Sequence, residues 1–298
     1  MDGGSVRLSM NSGRIKLILR VIVSIVLLSY LVSMLDWQVV MQLKPEIAFV
    51  VILGAAIFMA TQCLMSLRWK LILDCELHDS VAYLSLLRYY TVAQFFNILL
   101  PGSVGGDAVR ATSASRKYNI DIKRSLAVVV SERFFGLAAL TFIISLGFVI
   151  NPVLLKKVGF FHEAGFILLV LAVVGFFVAR YLATKNVKLS LPMAVWMLVI
   201  SGIAQLADIL ITFLFSQYFG LDILFSDLLF VIPLVYIATI IPISIGGLGV
   251  REGVMVFLLG SFGVDQSVAI IIALAIYLTK VIVGLLGGIF YLRGEEVD

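Results

Sequence analysis

"PGSVGGDAVR", residues 101–110, interrupts a chain that is otherwise strongly apolar. A proline, three glycines, an acid and a base fall within ten residues, directly after the apolar run 82–100. Proline lacks an N–H and clashes with the preceding turn, so it ends a helix. Glycine opens backbone conformations closed to other residues. Residues 242–251, "PISIGGLGVR", say nearly the same thing. The two align as P-x-S-[V/I]-G-G-x-[A/G]-V-R, with Pro101 and Pro242 separated by 141 residues. Whether the apolar runs before these motifs cross a membrane or turn back decides the fold.

The setting is a membrane. Of 298 residues, 62% are hydrophobic and 13% charged, and mean hydropathy is +1.13. A soluble domain cannot hide that much apolar surface. Two cysteines, Cys63 and Cys75, and two histidines, His78 and His162, point to neither a disulfide framework nor a metal cluster. No cofactor or metal is expected. The net charge of +4 reports topology and anionic headgroups rather than nucleic acid. Arg7, Arg14, Lys16 and Arg20 precede the first apolar run, which leaves through "SMLDW" with no small-residue cleavage site and is read as a retained helix.

About 20 apolar residues cross a bilayer as a helix. Six segments qualify: 17–35, 47–67, 125–150, 162–182, 192–216 and 266–292. Two more, 82–100 and 225–241, run into the glycine motifs. If both cross fully, basic residues divide nine inside against eight outside, with no bias. If both return to the side they entered, the division is fourteen against three, with Arg68 and Lys70 counted in a cytoplasmic loop. Basic residues accumulate on the cytoplasmic side, so the re-entrant arrangement is preferred. Ser80 is expected to cap the first entering helix and Arg88 to snorkel at the surface.

The 141-residue offset carries every apolar segment onto or close to another. The expected fold is therefore an all-α polytopic membrane protein with an inverted-topology repeat, built of six full spans plus two re-entrant helical hairpins, eight hydrophobic segments in all. Unit one is 1–150 with hairpin 82–115, and unit two is 151–298 with hairpin 225–262. Three crossings per unit invert the second, the plan of many secondary transporters. Both termini are expected in the cytoplasm and the protein in the plasma membrane.

Return helices starting near Asp107 and Leu248 would aim unpaired N–H groups inward, where an anion binds readily. Arg110 and Arg251 lie one turn further on, and Ser103 and Ser244 are placed to cap or to bind. Gly105, Gly106, Gly246 and Gly247 either shape that cradle or simply allow tight hairpin packing, with Arg110 paired to Asp107. Charges at membrane depth are costly and mark a pathway or a pair. Glu132, Arg133, Asp208, Lys280 and Glu252 are such charges. Glu132 and Arg133 point about 100° apart on a helix and need different partners. Asp208 and Lys280 are coupling or ion-pair candidates. Two readings stay open for the set: a buried ion-pair network joining the units, or a polar cavity for a headgroup.

"FNILLPGSVGGDAVRA", "SERFFGLAAL" and "IPISIGGLGVREG" resemble the flippase-like transmembrane family of the lysylphosphatidylglycerol synthase membrane region, over nearly the whole chain. The resemblance implies a lipid flippase or lipid-processing membrane protein. In it Pro101, Gly102, Gly105, Gly106, Asp107 and Arg110 match one motif. Glu132 and Arg133 match an acidic–Arg pair, and Pro242, Gly246, Gly247, Gly249, Arg251 and Glu252 match the second loop. The chain closes on "LRGEEVD" without a soluble aminoacyl-transferase domain, so a stand-alone member is expected. The leading expectation is a translocator, not an enzyme, binding an anionic or phosphate-bearing headgroup between the hairpins. The partners would be membrane lipids, phospholipid or polyprenyl-phosphate-linked, with no nucleic acid, and a homo-oligomer or a synthase partner is compatible. The alternatives are an intramembrane lipid-modifying enzyme and an accessory subunit of a lipid or glycan synthase.

Overall fold

The computed structural model describes residues 12–77, 80–99, 104–151, 164–186, 190–240, 244 and 247–293. These residues form eleven helices and no strands, as lipid demands of a chain that must satisfy its own backbone groups. In order they are α1 (Ser12–Ser33), α2 (Trp37–Met41), α3 (Glu46–Leu77), α4 (Tyr83–Leu99), α5 (Val104–Lys117) and α6 (Ile122–Ile150). Then follow α7 (Ala164–Asn186), α8 (Leu191–Tyr218), α9 (Phe225–Ile240), α10 (Val250–Gly260) and α11 (Gln266–Leu292).

Four of these, α3, α6, α8 and α11, are long and apolar enough to cross a membrane. They coincide with four of the six expected spans, and the other two expected spans fall on α1 and α7. Local chemistry sets several starts. Asp121 accepts a hydrogen bond from the N–H of Lys123 at 2.7 Å and opens α6; Asp265 accepts from Ser267 at 2.8 Å and opens α11. Ser80 does not cap α4, which begins at Tyr83. Its hydroxyl lies 3.2 Å from Lys70 Nζ, because α3 continues ten residues beyond the end of its apolar run.

That extension moves Arg68. Hydropathy places it in a cytoplasmic loop, yet it is buried among helices, 5% exposed. Removing it from the loop count leaves thirteen basic residues against three, so the charge asymmetry survives.

α4 and α5 lie side by side as an antiparallel hairpin. The N–H of Gly106 donates to Asn97 Oδ1 at 3.0 Å, and one turn later Arg110 stacks on Tyr90, one to two turns earlier. Gly105 and Gly106 are helical rather than left-handed, which differs from the turn role expected of them. Gly106 is required for close approach: a Cβ there would lie 2.3 Å from the Ala93 carbonyl oxygen. The second motif uses its glycines differently. Gly247 and Gly249 have φ of +78° and +82°, which L side chains rarely adopt. α5 begins three residues before Asp107 and α10 two residues after Leu248.

Shifted by 141 residues, the ends Leu77, Leu99 and Ile150 fall on 218, 240 and 291; α8, α9 and α11 end at Tyr218, Ile240 and Leu292. Four pairs of helix contacts follow the same exchange, whereas the extensive contact of α6 with α7 has no comparable counterpart between α11 and α1 among the described residues. α4 packs on α11 and α9 on α6; α3 packs on α4 and α8 on α9; α5 packs on α6 and α10 on α11; α6 packs on α8 and α11 on α3. Small residues make the closest of these contacts. A Cβ at Gly287 would lie 1.9 Å from the Thr91 carbonyl oxygen, and one at Gly147 would lie 3.2 Å from Leu229 Cβ. Gly287→Ala is therefore expected to destabilise the protein by ~1–3 kcal/mol through overpacking. Gly202→Ala, with nothing within 4 Å, should leave stability unchanged or slightly raised. Unfolding midpoints in one detergent check both.

Candidate functional site

The helices enclose a cavity of about 450 Å³. Its walls come from the middles of the long helices: 58–68 of α3, 132–140 of α6, 204–208 of α8 and 277–280 of α11. The hairpins reach it with their inner ends: 90–98 of α4, Asp107 and Arg110 of α5, Tyr236 and Thr239 of α9, and Arg251 of α10. The inner ends of the short helices thus lie beside the middles of the long ones.

A chain of charges forms one wall. Glu132, 1% exposed, accepts from Arg68 Nε at 3.1 Å on Oε1 and from Arg110 Nη1 at 2.7 Å on Oε2. Arg110 also donates to Asp107 Oδ1 at 2.9 Å, and Arg133 Nε donates to Asp107 Oδ2 at 2.5 Å. Three cations and two acids alternate. Glu132 and Arg133 do have different partners, as their helical spacing requires. Trp69 and Tyr90 carry the Arg110 guanidinium on their rings, at 5.2 and 4.2 Å from the centroids. Arg68 Nη1 donates to Ser201 Oγ at 2.6 Å, which ties the chain to α8. Arg133 lies at the mouth, with its side chain 46% exposed.

A second group comes from the other half of the sequence. Tyr236 donates to Asp208 Oδ2 at 2.5 Å and lies 2.6 Å from Lys280 Nζ, which is itself 3.6 Å from Asp208 Oδ2. Asp208 Oδ1 is buried and has no hydrogen-bond partner among the described residues. Arg251 stacks over Tyr277 at 4.7 Å and is paired with Glu252, whose other oxygen accepts from the N–H of Gly249 at 2.7 Å. The start of α10 is therefore closed by the chain's own carboxylate.

The structure brings Asp107, Arg110, Glu132, Arg133, Asp208, Arg251 and Lys280 to one cavity. Glu252 lies behind Arg251. Gly105, Gly106, Gly247 and Ser244 do not line it. Ser244 is buried, with no partner for its hydroxyl among the described residues. Ser103 and Gly246, with Pro101, Gly102 and Pro242, lie outside the described residues. Arg88 is exposed. Sequence reading assigned no site role to Arg68, Tyr90, Tyr236 or Tyr277, although Glu132 deep in a helix required more than one donor.

Residues 17–288 match the family described as the lysylphosphatidylglycerol synthase TM region. The chain belongs to that family. No curated protein and no solved structure matches it. Membership makes this a membrane protein of a lipid-related family, in agreement with its four membrane-length apolar helices. The three segments that carry the sequence resemblance supply Asp107, Arg110, Glu132, Arg133 and Arg251 to the cavity, so the family's motifs converge in space here.

Glu132→Ala would leave two guanidiniums facing each other in a buried site. A loss of ~3–5 kcal/mol is expected, as when one member of a buried pair is removed. Arg133→Ala, at the exposed mouth, should cost under about 1 kcal/mol. Thermal unfolding of the two variants side by side measures the difference.

Proposed function

We propose that this protein is a lipid translocator of the plasma membrane. A phosphate-bearing headgroup enters the central cavity while its acyl or prenyl tails stay in the bilayer. The placement of the cavity carries this reading: it lies half-way along four membrane-length helices, at the meeting ends of two hairpins. A headgroup that changes leaflets has to pass that depth. Arg68, Arg110, Arg133, Arg251 and Lys280 face Asp107, Glu132, Asp208 and Glu252, which leaves a net charge of +1 for an anion. Arg133 at the mouth makes first contact.

The exchange of helix pairs supports two inverted units, 1–150 and 151–298, each built of two spans, a re-entrant hairpin and a third span. The charge asymmetry supports cytoplasmic termini. Rocking of one unit on the other would open the cavity to each leaflet in turn. The protein works by moving its ligand rather than converting it, so the reading is of a carrier and not an enzyme.

Purified protein in liposomes should exchange an acyl-labelled anionic phospholipid between leaflets, followed by quenching of the outer label. Arg133→Ala and Arg251→Ala should each slow exchange about tenfold, the scale of one charge-assisted hydrogen bond. Arg133→Lys should retain more than Arg133→Ala. Exchange at the same rate in all variants would remove the site assignment, and chemical conversion of the lipid would replace the carrier with an enzyme.

A further inference from the structure

Gly136 is the central residue of α6, with fourteen residues of the helix on either side. Glycine weakens a helix interior relative to alanine, so a mid-helix glycine calls for a cause. In membrane helices the usual cause is the close approach of a second helix. That cause holds for Gly54, Gly106, Gly284 and Gly287, where an added Cβ would come to 1.9–2.9 Å from a neighbouring atom. It does not hold for Gly136, where a Cβ would meet nothing within 4 Å among the described residues.

Gly136 lines the central cavity, and it is the single glycine in that lining among the described residues. Gly202 and Gly253 are equally open but lie outside the lining. Arg133, three residues before Gly136, and Leu140, four residues after it, share its helix face and line the cavity too. Arg133 is at the mouth, with its side chain 46% exposed, whereas Leu140 is buried. At 1.5 Å per residue, Gly136 lies about 4.5 Å along the helix from Arg133, on the way to the buried end. The absent side chain therefore sets the width of the cavity just inside its mouth. A methyl group there is tolerated by the packing, so its cost falls on what moves through the cavity and not on the fold.

We propose that Gly136 is a size-determining residue: its bare Cα keeps the passage from Arg133 to the inner cavity wide enough for a headgroup. The size role deepens the translocator reading and rests on it; the open passage itself does not.

Two lipids test the size role. Acyl-labelled phosphatidylmethanol and phosphatidylbutanol carry the same single negative charge and differ in headgroup bulk. With the purified full chain in liposomes, Gly136→Ala should slow exchange of the butanol lipid more than that of the methanol lipid. Gly136→Leu should slow the butanol lipid about tenfold, the scale of overpacking by added methylenes. Gly136→Ala should unfold at the same temperature as the unsubstituted protein or a higher one. Gly202→Ala should leave the ratio of the two exchange rates as it is. An unchanged ratio in both Gly136 variants overturns the proposal. So does a lower unfolding temperature for Gly136→Ala, which would make the glycine a packing residue.

A second arm needs no transport. Cys63 and Cys75 are the only cysteines in the sequence. With both replaced by alanine, Gly136→Cys should react with the anionic, membrane-impermeant reagent methanethiosulfonate ethylsulfonate about tenfold faster than Gly202→Cys, because thiol reactivity follows access. Equal rates overturn the proposal. Fast reaction at position 136, with no exchange of either lipid by the unsubstituted protein, would remove the translocator reading and uphold the passage. Exchange at an unchanged ratio would uphold the translocator and remove the size role.

Discussion

The Glu132 carboxylate fixes the interior of this protein. It sits near the middle of α6, 1% exposed, where an unpaired charge would be prohibitive. Arg68 must come from α3 and Arg110 from α5 to meet it. Arg110 then requires Asp107, and Asp107 brings in Arg133. Each partner in the chain is a condition on where a helix lies. Such buried networks add little net stability compared with apolar packing, but they penalise every arrangement that separates the partners. α3, α5 and α6 are thereby locked in register, and the Arg68–Ser201 hydrogen bond extends the lock to α8.

Close backbone approach makes that geometry reachable. Arg110 meets Glu132 because α5 lies against α4 at Gly106, and α4 in turn settles on Gly284, Gly287 and Gly288 of α11. The two glycine motifs look alike as letters and act differently as backbone. In the first, the glycines are helical and give room. In the second, Gly247 and Gly249 take positive φ and turn the chain. Their neighbours explain the divergence. Asp107 in the first return helix belongs to the charge chain, whereas Leu248 stands at the matching place in the second. The second helix start is closed by Glu252, which also neutralises Arg251.

Much of this was legible in the sequence. The apolar runs located the long helices, the 141-residue offset paired their ends, and charges in apolar surroundings pointed to Asp107, Arg110, Glu132, Arg133, Asp208, Arg251 and Lys280. Arg68 was misplaced for a definite reason. Hydropathy ends a span where the apolar run ends, at Leu67, whereas a helix packed among others continues as long as its polar groups find partners. Tyr90, Tyr236 and Tyr277 were hidden because an aromatic residue in an apolar helix reads as packing. Their part is visible only when a cation lies over the ring. Ser80 failed as a cap because Lys70, displaced by the same extension of α3, lies beside it.

A cavity for a passing headgroup has opposing requirements. It must attract a charge out of water and still release it. Five cations without partners would hold a phosphate too firmly to let it go, and a fully apolar cavity would exclude it. Here each cation is matched internally, Lys280 through Asp208 and Tyr236, Arg251 through Glu252, and the arginines of the charge chain through two carboxylates. What remains is one unit of positive charge spread over several guanidiniums, with the most exposed of them at the mouth. Such a surface draws an anion weakly and from more than one direction. Under the translocator reading that weakness is functional, because a site that serves two leaflets cannot prefer the bound state over both exits.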